Sequence, residues 1–190
     1  MNGEDHIPAV AKLSPWDEAL IDFFMQVAQF LGLPKSVGQI FGLLYASEHP
    51  LTLDDIAERL QISRGSVSTG LNYLRRFDAV RTAFVVGDRR EFYQVETDTA
   101  RIAQGFLADQ VDPDIQSWGE RLRFGRGLLK LGGKMAAPNP AFAAERLELL
   151  EQWHGEITGA VALMHEHFRR LPARRGGAIT PQESPLREKS

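Results

Sequence analysis

Residues 53–77, "LDDIAERLQISRGSVSTGLNYLRRF", restrict what this chain can fold into more than any other stretch. Two segments with apolar residues at helical spacing flank Gln61, Ile62 and Ser63, which leaves room only for a tight turn between two helices. Thr52 caps the first helix and Ser63 the second. Ala57 is small where the helices cross, Leu60 and Ile62 fill the corner, and Val67 and Leu71 anchor the second helix. After Phe77 the apolar period drops to two. "VRTAFVV" and "EFYQVE" read as strands, and the "GDRR" between them makes a hairpin with an arginine-bearing tip. With a further short apolar helix before them at 36–46, the order helix, helix, helix, hairpin is that of a winged helix-turn-helix. The expected fold class is therefore mainly α with a small β-hairpin wing, plus a helical region.

The second helix has an odd composition. Gly65, Ser66, Ser68, Thr69 and Gly70 are poor helix formers, and its end carries Arg75 and Arg76. Advancing about 100° per residue from Val67 puts Gly65, Thr69, Asn72 and Arg76 on the opposite face. Arg64, Ser68 and Arg75 fall on one flank, Ser66 and Tyr73 on the other. Gly70 lies toward the inner side and permits close helix packing. A helix that enters the DNA major groove needs small residues where it approaches phosphates and base edges, and hydroxyls there can bond either. Asn72 suits adenine, and Arg75 or Arg76 suits guanine or phosphate. In the wing, Asp88 can hold the turn or Arg90, leaving one guanidinium for a narrow minor groove. The DNA-binding candidates are Ser36, Arg64, Gly65, Ser66, Ser68, Thr69, Asn72, Arg75, Arg76, Arg89 and Arg90. A winged-helix protein-interaction module that does not bind DNA is the alternative reading.

The formal net charge of −3 does not by itself suggest nucleic acid, but its distribution does. Residues 62–90 hold six arginines against two aspartates, a local +4 that leaves −7 for the remainder. The chain has no cysteine, which rules out disulfides, zinc–thiolate sites and thiol catalysis. No apolar run approaches the roughly 18 to 20 residues of a membrane span, and "MNGEDHIPAVAKLS" has no signal-peptide pattern. A cytoplasmic protein with no membrane partner is expected.

Caps and periodicity organise the rest. Ser14 with Pro15 opens a helix over 14–31 in which Trp16, Leu20, Phe23, Val27 and Phe30 form one apolar stripe and Phe24, Ala28 and Leu31 a second. Ser36 and Gln39 form a capping box for the next helix. Asp112 and Asn139, each followed by proline, signal two further helix starts. The glycines of "WGERLRFGRGLLKLGGKM" weigh against an unbroken helix there. Leu147, Leu150, His154, Ile157, Val161, Met164, Phe168 and Leu171 make a heptad seam. The expected divisions are a flexible 1–13, an N-terminal dimerisation helix 14–31, a winged helix-turn-helix 32–97, a helical dimerisation region 98–171 and a disordered tail 172–190. Dimerisation falls to Leu20, Phe23, Val27, Leu147, Leu150, Ile157, Val161, Met164 and Phe168.

Residues 33–98 resemble the GbsR branch of the MarR family of transcriptional regulators, most clearly in "ISRGSVSTGL" and "GDRREFY". The resemblance implies a homodimeric, sequence-specific DNA-binding regulator, usually a repressor, with double-stranded DNA and a second copy as partners. Two departures stand out. Gln61 occupies a turn position, and Asp78 follows the recognition helix, where many such units use Gly. The branch also resembles sensors of choline or glycine betaine. Quaternary ammonium ions bind aromatic cages, so Trp16, Trp118 and Trp153 become the effector-binding candidates.

An enzyme is not expected. His165 and His167 lie about 200° apart on a helix and cannot share an ion. Glu151 and His154 give an i, i+3 pair only once, where a di-metal bundle needs several such ligands. There is no phosphate loop and no nucleophile–base motif. No metal or cofactor is implied. His154, on the seam, reads as a satisfied interface histidine, or more sharply as a register point responsive to pH or ligand.

Overall fold

The computed structural model describes residues 13–84, 88–131 and 137–172. The described chain falls into two compact units, the first ending at Asp98 and the second spanning Thr99–Ala173. The expected flexible start, the disordered tail beyond residue 172 and Gly87 of the wing tip lie outside the described residues.

The first unit begins with α1 (Pro15–Phe30), closed at its start by a reciprocal capping box between Ser14 and Asp17. Of its two apolar stripes, the one carrying Phe24 and Ala28, together with Ile21, turns toward α2 (Lys35–Ala46). The crossing is close because Gly38 and Gly42 present bare backbone. A Cβ on Gly38 would lie 2.4 Å from the Phe24 carbonyl oxygen, and one on Gly42 would lie 2.7 Å from the Ile21 Cα. The expected Ser36–Gln39 capping box does not form. Pro34, in an extended conformation, occupies the cap position without a side-chain bond, so α2 starts one residue before Ser36 and places it inside the first turn.

Thr52 caps α3 (Leu53–Leu60) through a capping box with Asp55. Leu51–Thr52 also forms a short strand, β1, unforeseen because two residues carry no period. It pairs antiparallel with β3 (Phe92–Val95), which pairs on its other side with β2 (Val80–Ala83), giving the order β1-β3-β2. Between α3 and the sheet runs α4 (Arg64–Arg76). The core lies where α2, α3 and α4 meet, with Ile40, Leu43, Ile56 and Val67 wholly buried. Fully burying each such side chain contributes roughly 1.5–3 kcal/mol. The fold is thus mainly α with a small antiparallel wing, as the patterning predicts.

In the second unit α5 (Thr99–Phe106) runs through a π-helical stretch, 107–111, into α6 (Asp112–Leu131). Asp112 therefore does not cap a new helix; its backbone is helical (φ −60°, ψ −43°). The widened turn precedes Pro113, which has no N–H for the helical ladder and crowds the preceding turn. The glycines do not break α6. Gly119 faces the His154 ring and Gly125 faces Leu147, so they let α7 (Pro140–Arg170) approach. Asn139 caps α7, as expected. The two helices run antiparallel. Arg126 makes a two-pronged ion pair with Glu151, His154 Nε2 lies 2.9 Å from the Ile115 carbonyl oxygen, and His165 Nε2 lies 3.0 Å from Asp112.

This geometry splits the heptad seam. Leu147 is buried, and His154, Ile157, Val161 and Phe168 are half-buried, whereas Leu150, Met164 and Leu171 are exposed. The seam position three residues on stands about 300° around the helix, at the edge of the packed face, so Leu150, Met164 and Leu171 are exposed while Ile157 stays half-buried.

Candidate nucleic-acid interface

The turn that aims α4 is built from backbone bonds rather than glycine. Gln61 takes a left-handed conformation (φ 53°), its N–H donates to the Glu58 carbonyl, and the Ile62 N–H donates to Ala57. Asp78 does the same after α4 (φ 56°), with its own N–H on Arg75 and that of Ala79 on Leu74. Both sequence departures thus keep the geometry a glycine would give, at a left-handed cost of order 1–2 kcal/mol for a residue with a Cβ.

α4 opens on Ser63, whose hydroxyl accepts from the Ser66 N–H at 3.1 Å and also meets the Ser66 hydroxyl at 2.9 Å. Val67, Gly70, Leu71 and Leu74 face the core. A Cβ on Gly70 would sit 2.4 Å from Ile40 Cδ1, so this glycine sets how closely α4 lies on α2. Arg64, Gly65, Ser68, Thr69, Asn72, Arg75 and Arg76 are all exposed. Ser66 is half-buried and engaged with the cap. Ser36 is half-buried at the start of α2, and its carbonyl lies near Gly70. The exposed face of α4 therefore holds hydroxyls, one carboxamide and guanidinium groups, with no bulky apolar side chain. It can donate to and accept from base edges and phosphates.

The wing stands on a carboxylate hub. Glu91 lies 3.4 Å from Arg75 of α4 and accepts from the Thr82 hydroxyl at 3.2 Å and the Tyr93 hydroxyl at 2.8 Å. Burial first, then Glu91, pushes the Tyr93 hydroxyl up to about 12, so it stays a donor. At the tip, Asp88 accepts from both the backbone and the guanidinium of Arg90. The Arg90 hydrogen bond holds the Asp88 carboxyl below its ordinary range. Arg89 remains exposed.

The fold alters the charge count. Arg64 pairs with Asp54 at 2.8 Å, Arg75 with Glu91, Arg81 with the buried Glu96, and Arg90 with Asp88. Asp54, Glu91 and Glu96 all lie outside the 62–90 window that gave +4. Sequence reasoning missed them because the pairing comes from tertiary neighbours. It also missed Ile56, whose buried position follows only from where α3 crosses α4.

The other candidates divide between the units. On α1, Trp16, Phe23 and Phe30 are exposed and Leu20 and Val27 half-exposed, so the first stripe faces away from α2. Trp118 and Trp153, in the second unit, are also exposed.

A MarR-family model matches residues 26–91. The HTH-type transcriptional repressor GbsR of Bacillus subtilis (strain 168) is 28% identical over 112 residues, 59% of this chain and 62% of that protein. The HTH-type transcriptional repressor OpcR of the same organism is 27% identical over 82 residues, 43% of this chain and 44% of that one. These matches span less than two thirds of the relatives' own length. A solved structure described as a transcriptional regulator shares the fold, with a TM-score of 0.54 and 18% identity over 82% of this chain and all of that one. The helix-turn-helix and the Asp88–Arg90 wing tip lie within residues 26–91, the stretch that resembles the MarR family.

Proposed function

We propose that the chain is a sequence-specific DNA-binding transcriptional regulator, acting as a homodimeric repressor under the control of a small molecule. The observation that carries this is the exposed face of α4, where Thr69, Asn72, Arg75 and Arg76 project beside an arginine-bearing wing. The relatives' names, which denote repressors rather than enzymes, support the same reading. The test is retention of fragmented genomic duplex DNA across a salt series, followed by sequencing of what is bound. Retained fragments are expected to share paired half-sites about 34 Å apart, one helical turn. Their affinity should fall steeply with salt. Asn72→Ala should relax one position at a cost of ~1–3 kcal/mol if its contact is bidentate. No retention at any salt concentration leaves the protein-interaction module instead.

Dimerisation is supported by the exposed stripe Trp16, Phe23 and Phe30 on α1 and by Leu150, Trp153 and Met164 on α7. Phe23→Asp should give monomers in sizing experiments. For the effector we favour a quaternary ammonium compound bound at tryptophan. A cation over an exposed ring gains about 0.5–1 kcal/mol and over a desolvated one about 2. Since Trp16, Trp118 and Trp153 are exposed, binding must cover the ring it uses. Titration with choline and glycine betaine should move tryptophan fluorescence and operator affinity together. A fluorescence change alone would sink the regulatory claim.

A further inference from the structure

Both ends of α4 carry an arginine that is already answered by a carboxylate from another element. At the start, Arg64 meets both oxygens of Asp54, at 2.8 and 3.1 Å, from the first turn of α3. Near the end, Arg75 faces Glu91, at the foot of β3. Asp54 stands on the capped first turn of α3, and Glu91 is anchored by Thr82 and Tyr93 as well as by Arg75. All four partners are substantially exposed, so the pairs add little to stability. Their consequence lies in what the arginines can do next. A DNA phosphate approaching Arg64 or Arg75 must displace a carboxylate already in place, and the displaced carboxylate then stands close to the anion.

We propose that Asp54 and Glu91 are internal competitors of DNA phosphate, holding Arg64 and Arg75 in check and keeping sequence-independent DNA affinity low. This rests on the DNA-reading function above. Thr69 and Asn72, which face the groove in that reading, have no carboxylate partner among the described residues. Base readout is therefore not held back in this way, whereas phosphate-driven binding is.

The experiment measures affinity for a mixed-sequence duplex with no operator, from 50 to 200 mM salt. It compares the full chain with Asp54→Asn, Glu91→Gln, Arg64→Gln, Arg75→Gln and the two paired combinations. Gln at 91 can keep both contacts, its Oε1 accepting from one hydroxyl and its Nε2 donating to the other, and thermal melts check each fold. Each carboxylate replacement should tighten binding and steepen the salt slope by up to about 0.9, so a fourfold rise in salt costs roughly 3.5-fold more affinity per released arginine. The decisive arm is the cycle. In the Arg75→Gln background Glu91→Gln should do nothing further, and in the Arg64→Gln background Asp54→Asn should do nothing further. Equal tightening with or without the arginine would show simple removal of negative charge and overturn the proposal. If the unmodified protein binds and both variants match it, the competition fails while DNA reading stands. If neither the protein nor any variant retains duplex, both fail. If Glu91→Gln melts early, the Asp54 cycle decides alone.

Discussion

Among the described residues, the helices α4 and α7 each bury one side, and what they turn outward differs. α4 buries Val67, Gly70, Leu71 and Leu74 and shows solvent serine, threonine, asparagine and arginine. α7 buries Leu147, half-buries His154, Ile157, Val161 and Phe168, and leaves Leu149, Leu150, Trp153, Leu163 and Met164 exposed. A polar outer face on a well-anchored helix is stable in water alone and free to meet a polar ligand. An apolar outer face of this extent asks for a protein surface to cover it. The same division runs through α1, whose inner face meets α2 and whose outer stripe leaves Trp16, Phe23 and Phe30 exposed.

The comparison breaks first at the buried faces. Leu71→Ala, at 2% exposure, should cost about 2–5 kcal/mol in urea denaturation, because the cavity lies where α2, α3 and α4 converge. Leu163→Ala, at 72% exposure, should stay within ~0.5 kcal/mol for an isolated chain. If the cost at Leu163 instead grows with protein concentration, a second chain covers that face.

Gly70→Ala comes next. Its new methyl would meet Ile40 Cδ1 at 2.4 Å, the tip of a wholly buried side chain that would have to shift. Overpacking of this kind costs about 1–3 kcal/mol. Because the strain falls between α2 and α4, DNA retention should drop more than the melting temperature alone implies. Unchanged stability would mean that α4 lifts freely from α2, contrary to its part as the rigid helix of the pair.

These contrasts also explain what could be read in advance. The α4 face was legible because one helix period sorts buried from exposed when the inner residues are aliphatic and the outer ones polar. Thr52, Ser63 and Asn139 were legible as caps because capping is local. Ser36 misled because a capping-box pattern competes with the proline two residues before it, which took the cap position. On α7 both faces are apolar, so periodicity could not choose between them. The single seam divided once α6 supplied Gly119, Gly125 and Arg126 as neighbours. Asp54 and Glu91 were invisible because their partners lie 10 and 16 residues away in sequence.

A smaller effect is expected at the turn into α4. Gln61→Gly removes left-handed strain of order 1–2 kcal/mol but returns some 0.4–1 kcal/mol of chain entropy to the unfolded state. The net gain should lie between zero and about 1.6 kcal/mol, read as a modest rise in the denaturation midpoint. A loss would show that the Gln61 side chain makes a contribution its backbone does not.

The smallest effect separates the two regions by acid. Hydrogen bonding from Arg126 holds the Glu151 carboxyl below its ordinary range, and Arg90 does the same for Asp88. A carboxyl lowered in the folded state stabilises fully above its unfolded value, and that contribution is lost as pH falls through the folded value. Both groups are only partly buried, so each contribution is slight. They differ in sequence separation. Asp88 and Arg90 stand two residues apart and can still meet in an unfolded chain, whereas Glu151 and Arg126 are 25 apart and cannot readily do so. Glu151→Gln should therefore lower stability near neutral pH and flatten the acid limb of the melting curve, with the variant and the parent converging once pH falls below the folded value. Asp88→Asn should change that limb less. If Asp88→Asn flattens it as much as Glu151→Gln does, the wing tip contributes to folding as strongly as the α6–α7 pair. The wing would then count as part of the core scaffold rather than as an appendage to it.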